Sequence, residues 1–160
     1  MLKFSIGNKK LTHSESIFSL PSGYTCPGAK DCLARANRQT GKITDGKDME
    51  FRCYHVSIEA IFSSLRNQIW NNLETLRGKT KDEMAQLIQE ALPKVFVHRI
   101  HSGGDFFSQD YFDAWLKVAK NNRKMLFYTY TKALPFIVKR LNRIPGNFTI
   151  VASRGASLTI

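Results

Sequence analysis

Val95-Phe-Val-His-Arg-Ile-His-Ser-Gly-Gly-Asp105 opens the second half of the chain as an apolar run that stops at a glycine turn. Its β-branched and aromatic residues read as a strand over Val95–Ile100, and His101-Ser-Gly-Gly-Asp105 as the turn that ends it. A helix follows from about Ser108 to Asn121, with Tyr111, Ala114, Trp115, Val118 and Ala119 on its buried face. Lys124–Thr131 is the next strand. Leu134, Ile137, Val138 and Leu141 mark another helix, with Pro135 acceptable in its first turn. Arg143-Ile-Pro-Gly-Asn147 then turns the chain into a third strand, Phe148–Ala152. Strand, helix, strand, helix, strand predicts an α/β fold with a parallel sheet and right-handed helical crossovers. The strand ends, at His101–Asp105, Thr131–Lys132 and Ser153–Gly155, then share the carboxyl edge, where such sheets hold ligands.

Working back toward the amino terminus, the spacing predicts one helix from Tyr54 to Leu76, carried by Ile58, Ile61, Phe62, Leu65, Ile69 and Leu73 at steps of three and four. Gly78 stops it. Thr80 and Glu83 form a capping box for a second helix, striped by Met84, Leu87, Ile88 and Ala91, which Pro93 ends. Before Tyr54 the chain is rich in Gly, Ser, Lys and Asp and shows only short strand-like runs, Leu2–Ile6 and Ile17–Leu20. The 160 residues fit one domain in three parts. These are a cysteine-bearing segment (1–53), a helical pair (54–93) and the alternating strands and helices (94–160).

Twenty-four basic against thirteen acidic residues leave a net charge of +11, and no acidic residue follows Asp113. That asymmetry points to nucleic acid or another polyanion as partner, against the plainer reading of a surface charged for solubility. No apolar run is long enough to span a bilayer, so a membrane protein is not expected. The lysines near the start are not followed by the apolar stretch of a signal peptide, and secretion is not expected either. No phosphate-binding glycine loop and no Gly-x-Ser-x-Gly elbow occurs.

Three cysteines lie in the first third: Cys26, Cys32 and Cys53. An odd count argues against a disulfide framework, and their polar, glycine-containing surroundings are unlike those of buried structural cysteines. Cys26 and Cys32 bracket Pro27-Gly-Ala-Lys-Asp31, a segment that can wrap around a cluster. Three thiolates suit an iron–sulfur cluster with one iron left open. Zinc is the competitor, because His55 sits two residues after Cys53 and completes a Cys3His set. Unliganded thiols are the third reading.

Phe18-Ser-Leu-Pro-Ser-Gly-Tyr-Thr-Cys-Pro-Gly-Ala-Lys-Asp-Cys32, Phe51-Arg-Cys-Tyr54, Ser102-Gly-Gly-Asp-Phe-Phe-Ser108 and Phe127-Tyr-Thr-Tyr-Thr-Lys132 together resemble the bacteriophage "gene product 88" family. The resemblance implies a viral or prophage setting and hence the cytoplasm of an infected or lysogenic host cell, where a host protein stands beside the nucleic acid that the charge suggests as a candidate partner. A more distant likeness, in layout, is to radical S-adenosylmethionine enzymes. Those bind a 4Fe–4S cluster through three cysteines after the first barrel strand and carry a Gly-Gly-Glu-like motif after the second. Ser102-Gly103-Gly104-Asp105 stands in the comparable place. The likeness implies a reduced or partial TIM-type barrel, a 4Fe–4S cluster on Cys26, Cys32 and Cys53, and S-adenosylmethionine held at Ser102–Asp105. Asp105 would supply a carboxylate for its amine. The cysteine spacing of five and twenty residues is wider than in the usual motif, and aspartate stands where glutamate is usual.

Lys132 and Arg154 terminate the next two strands and are candidates for holding a ligand carboxylate or phosphate, against simple solvation. His98 and His101, three apart on one strand, are expected on opposite faces, with His101 the better site candidate. Phe106, Phe107, Tyr128 and Tyr130 suit stacking on a base or, more commonly, core packing. Lys139, Arg140 and Arg143 are expected on an exposed, basic face of the last helix.

Overall fold

A computed structural model describes residues 1–8 and 11–159. The elements run β1 (Ser5–Asn8), β2 (Leu11–Phe18), β3 (Ala34–Ala36), β4 (Ile43–Asp45), α1 (Tyr54–Ile61), α2 (Ser63–Leu76) and α3 (Lys81–Ala91). They continue with β5 (Val97–Ile100), α4 (Gln109–Asn121), β6 (Leu126–Thr131), α5 (Leu134–Val138) and β7 (Phe148–Ala152). Five strands form one open sheet in the order β1-β2-β5-β6-β7, and β3 pairs with β4 in a separate hairpin. β2, β5, β6 and β7 are parallel neighbours, while β1 runs antiparallel to β2 at the edge. The parallel sheet with helical crossovers is therefore observed. Among the described residues the sheet does not close into a barrel.

Alternation of side chains gives the sheet two unlike faces. Phe18, Ile100, Phe127 and Phe148 join Leu73, Met84, Ile88, Tyr111, Phe112 and Trp115 in one core between the strands and α2, α3 and α4. Trp115 is its centre, edge-on to Phe18 at 5.5 Å and fully buried. The register across the other face is Ile17, Arg99, Tyr128, Thr149. That face leaves Leu126, Tyr130 and Val151 partly exposed. No helix among the described residues is long and apolar enough to cross a membrane.

The second half matches its sequence pattern to within a residue or two at most ends. Ser108 caps α4 through its hydroxyl, and the Thr80–Glu83 capping box is present. The last helix is shorter than expected, ending at Val138, with a single 3-10 turn at Leu141–Arg143.

Two corrections concern the first half. The expected strands Leu2–Ile6 and Ile17–Leu20 are instead Ser5–Asn8 and Leu11–Phe18. The expected single helix from Tyr54 breaks at Phe62, which is extended at φ −101° and ψ 97°. The helical pair is thus three helices. Arg66 accounts for the break: its Nη1 donates to the carbonyls of Glu59 (2.6 Å) and Ala60 (3.2 Å), and its Nε to that of Arg38 (2.9 Å). A buried guanidinium thereby satisfies carbonyls that a continuous helix would have bonded itself.

Candidate metal centre

The long connection from β2 to α1 brings the cysteines to the carboxyl edge of the sheet. Hydrogen bonds extend the β2–β5 pairing past both strands, from His101 N–H to Phe18 O and from Leu20 N–H to Gly103 O, each 2.9 Å. They fix where the cysteine loop departs. The loop then seats on the end of β6. Gly28 lies so close to Lys132 that any side chain there would strike its backbone carbonyl. Asp31 pairs with Lys132 Nζ, and Phe51 lies under the same ammonium at 5.5 Å.

The result is a cavity of about 170 Å³ into which all three thiols open, together with Ser102, Gly103, Gly104, Asp105 and Lys132. Arg99, His101, Tyr130 and Ser153 complete its polar wall. None of the cysteines is in a disulfide. The Gly23 N–H donates to Cys26 Sγ at 3.3 Å. Burial pushes the Cys26 thiol well above its ordinary value, with the Asp105 carboxylate adding to the rise. Burial also raises Cys32, and the Lys132 ammonium opposes that rise. These are the reverse of the depressed values that activate a cysteine nucleophile.

The donor set fits an iron–sulfur cluster. It offers three thiols, an N–H···S bond and a nearby ammonium, which are the groups that hold such a cluster and balance its charge. It fits a single ion less well. Among the described residues, no three His, Cys, Asp or Glu side chains converge closely enough to hold one metal ion. His55, the fourth ligand of the zinc alternative, does not line the cavity. It is buried, with Nδ1 against Glu59 Oε1 at 2.8 Å and Ser22 Oγ at 3.3 Å. Gly103 packs on the His55 ring, and a side chain at Gly103 would collide with Nδ1.

Asp105 departs from its expected role. Its Oδ1 accepts from Thr131 Oγ1 (2.6 Å) and Phe106 N–H (2.8 Å), and its Oδ2 from Lys132 N–H (2.8 Å). A carboxylate has about four acceptor sites, and three are already filled from within the chain. Asp105 thus ties the Gly-Gly turn to the end of β6. Arg154 departs too: it is exposed and does not line the cavity, where Ser153 stands instead.

His101 is the non-glycine residue with positive φ, 67°, among those described. That twist turns its ring back to the helix side, so His98 and His101 share the face that alternation should have separated. His98 stacks on Phe127 at 4.9 Å and meets Ser16 Oγ at 2.6 Å, whereas His101 Nε2 meets the Tyr111 hydroxyl at 3.0 Å. Phe106 is core and Phe107 stacks on Tyr111 at 4.5 Å, so neither is free to stack on a ligand.

Arg99 is the site residue that sequence reading missed. A charged residue inside Val97–Ile100, alternating with buried His98 and Ile100, had to lie on the opposite sheet face and near the strand end. Its guanidinium stands over Tyr130 at 5.9 Å, and its Nε is buried without a partner.

A family model described as "Gene product 88" matches residues 2–158. The "Gene 88 protein" of Mycobacterium phage L5 is 29% identical over 140 residues, which cover 79% of this chain and 51% of that protein. The "Gene 88 protein" of Mycobacterium phage D29 is 28% identical over 140 residues, covering 79% and 50%. The chain spans about half the length of these curated relatives. No solved structure matches it.

Proposed function

The chain belongs to the gene product 88 family, and we propose that it is an iron–sulfur protein whose Cys26, Cys32 and Cys53 hold a 4Fe–4S cluster. One observation carries the reading: three thiols separated by five and twenty residues open into one cavity, on the edge of a parallel sheet where ligands bind. With three protein thiolates, one iron is left for an exogenous ligand.

The finer reading is that this ligand is S-adenosylmethionine and that the open sheet is a partial radical-enzyme barrel. In its support, the thiol loop follows the first parallel strand and Gly103-Gly104 follows the second. A bound cluster of that kind supplies one electron to the sulfonium of S-adenosylmethionine. In this reading Gly103 and Gly104 let backbone approach the ligand, Ser102 and Lys132 offer donors, and Asp105 holds that wall in place. The phage relatives support a setting in the cytoplasm of an infected or lysogenic host cell.

Anaerobic purification with iron, sulfide and zinc analysis and a visible spectrum tests the reading. The expected result is about four irons and four sulfides per chain with a brown colour, lost on replacing any one cysteine by serine. One zinc per chain and no visible band would overturn it and favour the Cys3His alternative.

A further inference from the structure

We propose that the edge of the sheet opposite the thiols carries a second site, a basic groove that binds the phosphate backbone of nucleic acid. It stands apart from the cluster reading, because a parallel sheet separates the two ends of its strands. The six residues of β6 alone put about 20 Å between the loops that precede them and Lys132.

The groove is built from the end of α4 and the turns that enter β6 and β7. Three adjoining concavities meet there, of about 260, 670 and 460 Å³, and Lys120 lines all three. Arg123 and Arg143 each line two of them, and Lys124 one. All four cations are exposed. None has a carboxylate partner among the described residues. Of the acids nearby, Glu90 on α3 has no cation partner among the described residues, while Asp82 pairs with Lys117 at 3.0 Å and Asp113 with Arg140 at 2.7 Å. Arg140 is thereby removed from the basic face that sequence reading gave it, whereas Arg143 remains on it.

The floor of the groove is held by side-chain amides. Asn147 Nδ2 donates to the carbonyls of Ala119 (3.0 Å), Asn122 (3.1 Å) and Met125 (2.9 Å), and Asn122 Nδ2 to that of Val118 (2.7 Å). A helix carboxyl end attracts a cation within its last turn, which explains Lys120 but not four unpaired charges around one depression. A concave wall of lysine, arginine and asparagine admits a phosphate chain, whereas an anionic membrane favours a convex face with protruding apolar side chains. Of the apolar residues of this wall, Leu116 is buried and Met125, Ile144 and Pro145 are only half-exposed.

The test is fluorescence anisotropy with a labelled DNA duplex of about 20 base pairs and its single strand, beginning at about 50 mM salt. Four phosphate contacts predict a salt slope near −3.6 on duplex, about a hundredfold loss of affinity between about 50 and 200 mM. Combining Lys120→Glu, Arg123→Glu and Arg143→Glu should weaken binding at least about tenfold and flatten the slope. A control with Lys42→Glu, Lys47→Glu and Arg77→Glu makes the same change of charge on exposed sites elsewhere and should bind nearly as wild type. Equal loss in both variants, no binding to either DNA, or preference for phosphatidylglycerol vesicles would overturn the proposal. Replacing all three cysteines by serine separates the two sites: it should remove the cluster and leave DNA binding intact. A brown protein that ignores DNA sinks only the groove, and a colourless one that binds it sinks only the cluster.

Discussion

At the scale of single residues, buried polar groups do most to shape the site. Asp105 is 5% exposed, and burial raises its carboxyl above the ordinary range while the surrounding donors pull it back. Asp105→Ala leaves Thr131 Oγ1 and two backbone N–H groups without their acceptor. The expected cost is about 3 kcal/mol, read from urea unfolding, and Asp105→Asn should recover only part of it because an amide turns a donor toward donors. A loss below ~1 kcal/mol would mean that the end of β6 is held by something else. His98 and His101 set the acid limit. Burial lowers them to about 4 and about 3 respectively. Both folded values lie below the unfolded one, so their contribution is complete above about pH 6.5 and is lost as pH falls toward 4. Well below pH 6.5 each removes about 1.4 kcal/mol per pH unit and at pH 6.5 about half that, so the pair should cost about 3 kcal/mol between pH 6.5 and 5. Asp105, shifted upward, opposes this trend at its acid end. Unfolding free energies at pH 7 and 5 that agree within error would show that the histidines are not held neutral.

At the scale of elements, Arg66 makes the break between α1 and α2 a built feature. Arg66→Met strands the carbonyls of Glu59, Ala60 and Arg38, and should cost about 3 kcal/mol by the same unfolding measurement. Arg66→Lys should restore little, since a single ammonium cannot reproduce the planar fork. Legibility in the sequence follows from where the apolar periodicity is unbroken. β5 through β7 alternate with helices and are legible to within about two residues, the short last helix excepted. β2 is legible only from Ile17, because Glu15 and Ser16 interrupt the apolar pattern. Both are buried, and both find partners only across the sheet, Ser16 on His98 and Glu15 on the Tyr128 hydroxyl. Periodicity cannot register a strand whose polar side chains are satisfied by residues some 80 to 110 positions away. At the site, the cysteines and Ser102–Asp105 were legible as motifs. The internal duty of Asp105 and the place of Arg99 depend on strand register, which no local pattern encodes.

At the scale of the whole molecule, the described residues form two cores of very different size. The large one joins β2, β5, β6 and β7 to α2, α3 and α4, whereas the other consists of Ala34, Ala36 and Val56 with Ile43, Met49 and Cys53 packed around them. Residues 19–53 carry all three thiols, of which Cys53 packs on that small core. Their regular structure is two strands of three residues each. Apart from Leu20, which belongs to the large core, so small a core predicts a local stability for the hairpin below the global value. A ligand that binds only the folded arrangement adds its binding free energy there first. Hydrogen exchange on the metal-free protein should therefore show amides of Ala34–Ala36 and Ile43–Asp45 exchanging faster than those of α4. Anaerobic loading with iron and sulfide should slow the hairpin amides and leave α4 nearly unchanged, whereas the three-cysteine variant should show no such slowing. If hairpin and helix exchange together in the metal-free protein, the thiol segment is held by protein contacts alone. The cluster would then be a passenger in a preformed site rather than the group that completes the fold around it.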